Sequence, residues 1–253
     1  TPSRSKTEGP ASGGSRPRFR TVLFDCDSTL SAIEGIDELA VHCRHEVEQL
    51  TDAAMRGRIP LEEVYGRRLG LVQPSRVAVD ALGRDYVARL VPDAAATVAA
   101  LHAAGVDVRI ISGGLLPAVL AVARVVGVGV NRVAAVDITF GADGSYAGFD
   151  ASSPLSMSGG KRTAIERWGI TRPAMMVGDG TTDLEARPVV DLFVAFAGVV
   201  ARPNVVNAAD AVVRANSLAP VLPLVLDADE LLHTPHYSLY ERGAAMNAAV
   251  STR

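Results

Sequence analysis

Two aspartates one residue apart close the first apolar run of the chain, in Asp25-Cys26-Asp27-Ser28-Thr29. Carboxylates so spaced at a strand end can divide nucleophilic and acid–base work. One attacks an electrophile, and the other exchanges a proton with the leaving oxygen. Taken alone, the segment reads equally as a strand end followed by a turn rich in Asp and Ser. Three later segments carry matching chemistry. Ile111-Ser112-Gly113-Gly114 offers a hydroxyl and open amides where a strand gives way to a helix, a setting that attracts phosphate oxygens, although a bare Ser-Gly-Gly is more often a plain turn. Ser158-Gly159-Gly160-Lys161 places an ammonium ahead of a helix without the spacing of a nucleotide-binding glycine loop. Val177-Gly178-Asp179-Gly180-Thr181-Thr182-Asp183 supplies hard oxygen donors suited to Mg2+. There Asp179 is the expected direct ligand, and Asp183 either orients the metal and its waters from behind or caps the next helix.

The elements that must present these groups follow from hydrophobic periodicity. Apolar runs at residues 21–25, 106–111, 174–177 and 192–196 read as buried parallel strands, and 93–104, 115–126 and 161–168 as helices between them. This alternation predicts an α/β fold, a doubly wound parallel sheet with a Rossmann-like core, whose carboxyl edge is a ligand crevice. Residues 32–90 break the pattern with helix after helix, at 36–55, 61–71 and 75–82, and read as a helical insertion after the first strand. Residues 136–140 and 146–149 around Gly-Ala-Asp-Gly form a predicted β-hairpin. The expected organisation is a flexible tail over 1–19, a core from 20–31 and 91–226, the insertion between them, and a C-terminal extension over 227–253 that is either a partner-binding segment or mobile.

Composition narrows the function classes. The net charge of -3, with acids and bases interspersed, does not suit a surface that neutralises nucleic acid. Only Cys26 and Cys43 occur, in neither metal-binding nor redox spacing, which fits a reducing compartment. No apolar run is long enough for a bilayer, so the expectation is a soluble, cytoplasmic protein acting on a small molecule, with a homodimer left open.

The order Asp-x-Asp-x-Thr, Ser-Gly, Lys and Gly-Asp-x-x-x-Asp resembles the haloacid dehalogenase superfamily of phosphohydrolases. More narrowly, residues 25–40, together with Ala54-Met55-Arg56-Gly57, Arg68-Leu69, Leu71-Val72-Gln73-Pro74-Ser75 and Tyr146-Ala147-Gly148-Phe149-Asp150, resemble its phosphoserine phosphatases. The likeness extends over about residues 21–226. It implies that Asp25 attacks phosphorus and that Asp27 protonates the serine oxygen and then activates water. It implies further that Mg2+ is held by Asp25, the Asp27 main-chain carbonyl and Asp179, and that Ser112, the Gly113 amide and Lys161 surround the phosphoryl group. The helical insertion becomes a cap in which Glu34 reads the substrate ammonium and Arg68 its carboxylate. As residues these two also read as exposed helix charges. Met55, Gly57, Thr182 and Arg202 match further positions near the substrate. Leu61 and Arg162 depart from the family pattern, which commonly has a phenylalanine and a glycine there. The competing readings are a related capped phosphatase or phosphotransferase acting on phosphothreonine or a sugar phosphate, and a signalling phosphoacceptor that stores phosphate on Asp25.

Overall fold

The computed structural model describes residues 16–55, 59 and 61–251. Its centre is a six-stranded parallel sheet in the order β3-β2-β1-β6-β7-β8, built from β1 (Thr21–Phe24), β2 (Asp107–Leu115), β3 (Val133–Val136), β6 (Ala174–Gly178), β7 (Leu192–Phe196) and β8 (Ala211–Val213). Both faces are covered, which is why the central strands read as continuous apolar runs. Val22, Phe24, Met175 and Val177 enter one core with α5 (Ala94–Ala103) and α6 (Leu116–Val126), whereas Leu23 and Met176 enter the other with α7 (Gly160–Trp168) and α9 (Pro203–Ala208).

The chain leaves β1 toward β2 and β3 on one side and later returns to β6 on the other, so β1 and β6 flank the switch point where such sheets bind ligands. Their register pairs Phe24 with Val177, and the Asp25 amide donates to the Val177 carbonyl at 2.9 Å. The two acidic segments therefore emerge side by side. A short helix, α8 (Thr181–Leu184), follows β6 directly.

The insertion consists of α1 (Gly35–Leu39), α2 (Arg44–Met55), α3 (Leu61–Val72) and α4 (Arg76–Ala88). The helix expected over 36–55 is broken at 40–43, leaving Val41 exposed between buried Ala40 and Val47. No Gly or Pro marks that break, so helical periodicity ran through it. The Ser75 hydroxyl accepts from the Ala78 amide to cap α4, which runs six residues beyond the expected 82. At the neck the two linkers pair, Ala32 donating to the Arg89 carbonyl at 2.8 Å and Val91 to the Leu30 carbonyl at 2.9 Å. α4 is anchored on the core, with Gly83 against Ala118 and Ala121 of α6.

The strands also differ in part from the expectation. Val136 ends β3 of the main sheet and does not start the hairpin, which is β4 (Ile138–Phe140) with β5 (Tyr146–Phe149). The edge strands β3 and β8 escaped notice because they are short and only partly buried. From residue 222 onward α10 (Leu222–Val225), α11 (Ala228–Leu231) and α12 (Tyr237–Ser251) pack together beside the turn at Ala219–Val221, and Arg242 pairs with Asp93 at 2.7 Å.

Gly243 of α12 lies so close to this turn that a Cβ would stand 2.2 Å from the Ala219 carbonyl oxygen. Gly243→Val should therefore lower stability by about 1–3 kcal/mol in urea unfolding. An unchanged midpoint would mean that α12 does not dock as described.

Candidate active site

Asp25 leaves the end of β1, and the chain immediately curls so that the Cys26 carbonyl accepts from the amides of Leu30 at 3.0 Å and Ser31 at 2.9 Å. Ser28 takes a left-handed φ of 50°, a sparsely populated conformation for a non-glycine residue. This tight loop turns the Asp27 carboxylate into the crevice that Asp25 faces. Asp27 Oδ1 accepts from the Gly35 amide and from the Tyr86 hydroxyl, both at 2.6 Å. Its Oδ2 lies 3.4 Å from Ser112 Oγ.

Lys161, at the start of α7, is 4% exposed and reaches Asp25 Oδ1 at 2.7 Å and Asp183 Oδ1 at 2.5 Å. Burial alone would lower its pKa. The facing charges of Asp183 and Asp25 outweigh that and raise it, so the ammonium is retained. Asp25 is pushed well above the ordinary carboxylate range by burial and by Asp183, with Lys161 pulling the other way. Burial and the nearby Glu34 charge push Asp27 up to about 6, against the hydrogen bonds from Tyr86 and Gly35. A carboxyl group so placed is suited to exchanging protons near neutral pH.

Asp179, at the end of β6, is also buried and forms an ion pair with Arg202, which reaches Glu34 as well at 3.1 Å. Asp25, Asp179 and Asp183 bring carboxylate oxygens within 4.8 Å of one another. Asp183 has both oxygens committed, to Lys161 and to the Gly180 amide at 2.8 Å. Among the described residues Asp179 Oδ2 has no partner beyond its ion contact with Arg202. A set of three buried carboxylates offering only oxygen fits a hard divalent cation.

The remaining expected residues lie around a cavity of about 850 Å³. Glu34, Arg68, Gly113, Thr182 and Arg202 line it together with Asp25, Asp27, Lys161 and Asp179. Glu34 is oriented by the Ser28 hydroxyl, which donates at 2.8 Å. Arg68 pairs with Asp37, and its buried Nε has no hydrogen-bond partner among the described residues. Ser112 is fully buried, its Oγ accepting from the Gly114 amide at 2.9 Å, and Asp183 sits behind Lys161. The side chain of Met55 and the whole of Gly57 lie outside the described residues.

Two tyrosines escaped the sequence reading. Tyr65 of α3 donates to the Gly113 carbonyl at 2.9 Å and packs its ring on Phe149 of the hairpin, 5.3 Å between centroids. Tyr86 falls in helical register with Val79 and Leu82, so it reads as core. One signal was available for the ammonium: Lys6 and Lys161 are the only lysines in the chain.

A haloacid dehalogenase-like hydrolase family model matches residues 19–188. The chain is 39% identical over 196 residues to a chloroplastic phosphoserine phosphatase of Arabidopsis thaliana, covering 75% of this chain and 66% of that one. It is 40% identical over 195 residues to a phosphoserine phosphatase of Bos taurus, covering 75% and 86%. A solved structure described as a phospho-aspartyl intermediate analogue of phosphoserine phosphatase superposes with a TM-score of 0.67 at 25% identity, covering 82% of this chain and 99% of that one.

If the acidic cluster holds a divalent cation, Mg2+ at about a hundredfold above its dissociation constant should stabilise the protein by about 2.7 kcal/mol. Asp179→Asn should lose most of that gain in thermal unfolding compared with and without chelator. Equal gains in both proteins would remove Asp179 from the metal site.

Proposed function

The chain belongs to the haloacid dehalogenase-like hydrolase family, and we propose that it hydrolyses phosphoserine to serine and phosphate through an aspartyl-phosphate on Asp25. The observation that carries this reading is the pairing of two carboxylates with different surroundings at one cavity: Asp25 held by Lys161, Asp27 held by neutral donors and raised to about 6. Lys161 favours the ionised Asp25 that attack requires, against the burial that opposes it, and Asp27 is suited to carry a proton.

In the first step an Asp25 oxygen attacks phosphorus and the bond from phosphorus to the serine oxygen breaks. The leaving oxygen takes the proton of the Asp27 carboxyl group. In the second step Asp27, now a carboxylate, accepts a proton from a water that attacks phosphorus, the bond to Asp25 breaks, and both carboxyl groups return to their starting states. Lys161 faces the charge on the transferring group, with Ser112 and the Gly113 amide as neighbouring donors. We assign Mg2+ to Asp25, the Asp27 carbonyl and Asp179, where it would screen substrate oxygens from the carboxylates when bound.

Glu34 and Arg68, an anion and a guanidinium, both line the cavity, which suits a substrate bearing both an ammonium and a carboxylate. A sugar phosphate would leave both unanswered. The insertion over 32–90, helices α1 to α4, is assigned as the cap that encloses the substrate. Among the described residues no helix is long and apolar enough to cross a membrane. Two free cysteines support a reducing compartment, and we assign the protein to the cytoplasm.

Phosphate release from phosphoserine, phosphothreonine, a sugar phosphate and an aryl phosphate, each with Mg2+ and with chelator, tests the assignment. Strong metal-dependent preference for phosphoserine is expected. Arg68→Ala should lower kcat/KM for phosphoserine about 10- to 100-fold and leave the aryl phosphate within about threefold; equal losses would refute its role as carboxylate reader. Asp25→Asn should cut phosphate release by at least about a thousandfold while the fold is retained by circular dichroism. Normal turnover in that variant would remove the aspartyl-phosphate mechanism.

A further inference from the structure

We infer that Tyr86 is a positioning residue for the proton step, holding Asp27 so that its Oδ2, and not its Oδ1, carries the transferable proton. This inference rests on the assignment of Asp27 as the acid and base. The Tyr86 side chain is fully buried, and its hydroxyl lies against two glycines, Gly35 and Gly114, that line the cavity. A Cβ on Gly35 would stand 2.0 Å from the Tyr86 oxygen, and one on Gly114 would stand 3.2 Å from it. Any other residue at Gly35 would collide with the phenol, so the space for the hydroxyl is built into the backbone of both segments.

The hydroxyl has one acceptor there, Asp27 Oδ1 at 2.6 Å, and the Gly35 amide donates to the same oxygen at 2.6 Å. Two donors occupy both lone-pair directions of Oδ1. A proton on the carboxyl group is thereby left to Oδ2, which lies toward Ser112 and Gly114 at the phosphate side of the cavity. The proton that the leaving serine oxygen acquires, and the one later drawn from water, pass through that single atom.

The holder is also rigid. Tyr86 lies on α4, whose Gly83 packs against Ala118 and Ala121 of α6 in the core, and the Tyr86 carbonyl accepts from the neck residue Ser31 at 3.0 Å. Asp27 is therefore oriented by an element anchored independently of α2 and α3. Tyr86 does not line the cavity, so its loss should act on turnover and not on substrate affinity.

Tyr86→Phe removes the hydroxyl and keeps the ring. The expected result is a fall in kcat for phosphoserine of about tenfold or more with KM changed less than about twofold. A second readout uses an aryl phosphate, whose leaving group needs little help from an acid. There the variant should form the phosphoenzyme and break it down slowly, so acid-quenched, labelled enzyme accumulates above the wild-type level. Unchanged kcat and unchanged phosphoenzyme would overturn the inference, as would a loss confined to KM. Absence of any phosphoenzyme in wild-type protein would instead bring down the reading on which it rests. Should Tyr86→Phe unfold, Gly35→Ala displaces the same phenol and should likewise let phosphoenzyme formed from the aryl phosphate accumulate above the wild-type level; no such accumulation would overturn the inference.

Discussion

The carboxyl edge of the sheet is organised around one electrostatic constraint, the burial of Asp25 and Asp183 against the single ammonium of Lys161. Each is less than a tenth exposed, and the three groups meet through contacts of 2.7 and 2.5 Å. Two carboxylates and one ammonium out of water leave a net negative charge that desolvation makes costly. The elevated pKa of Asp25 is the sign of that cost. The Gly180 amide relieves it at Asp183, and the Arg202 guanidinium does so at neighbouring Asp179. A divalent cation and an anionic phosphoryl group would fit the same field together, since one compensates the carboxylates and the other the added positive charge.

The sheet topology makes such crowding possible without unfolding the site. Parallel neighbours deliver successive strand ends to one edge, so segments 150 residues apart in sequence, such as Thr29 and Asp179, come within 3.4 Å. Because β1 and β6 are central and buried on both faces, their ends are fixed by packing that polar chemistry does not disturb. The insertion enters and leaves through one paired neck at Leu30–Val91 and Ala32–Arg89. Its helices can thus border the cavity while the core carries the reactive carboxylates.

What could be read from the sequence follows the same division. Buried strands of the parallel sheet have no polar face, so β1, β6 and β7 stood out as apolar runs, and each acidic motif was found because it followed one. The edge strands β3 and β8 are apolar as well, but at four and three residues their runs are too short to stand out. The break between α1 and α2 carries no breaker residue, and Tyr86 was hidden by fitting an apolar helical stripe perfectly well. Its polar end matters only because Gly35, 51 positions earlier, leaves room for it. Such a pairing is invisible to local pattern. Glu34 and Arg68 show the opposite case: as residues they read as ordinary helix charges, and only the resemblance to the family singles them out.

The use of basic residues carries the same logic further. The chain has 25 Lys and Arg together, yet only Lys6 and Lys161 are lysine. Arginine serves where a planar fork has room: Arg202 spans Asp179 and Glu34, and Arg68 lies partly exposed at the cavity wall. At position 161 the space is nearly closed and two carboxylates approach from different elements. An ammonium is compact and has three donors in a tetrahedral fan. Two are taken by Asp25 and Asp183, and the third is left for an oxygen at the cavity that Lys161 lines. A guanidinium would need more volume and would present its donors in one plane, so exclusion of arginine from this position follows from geometry as much as from charge.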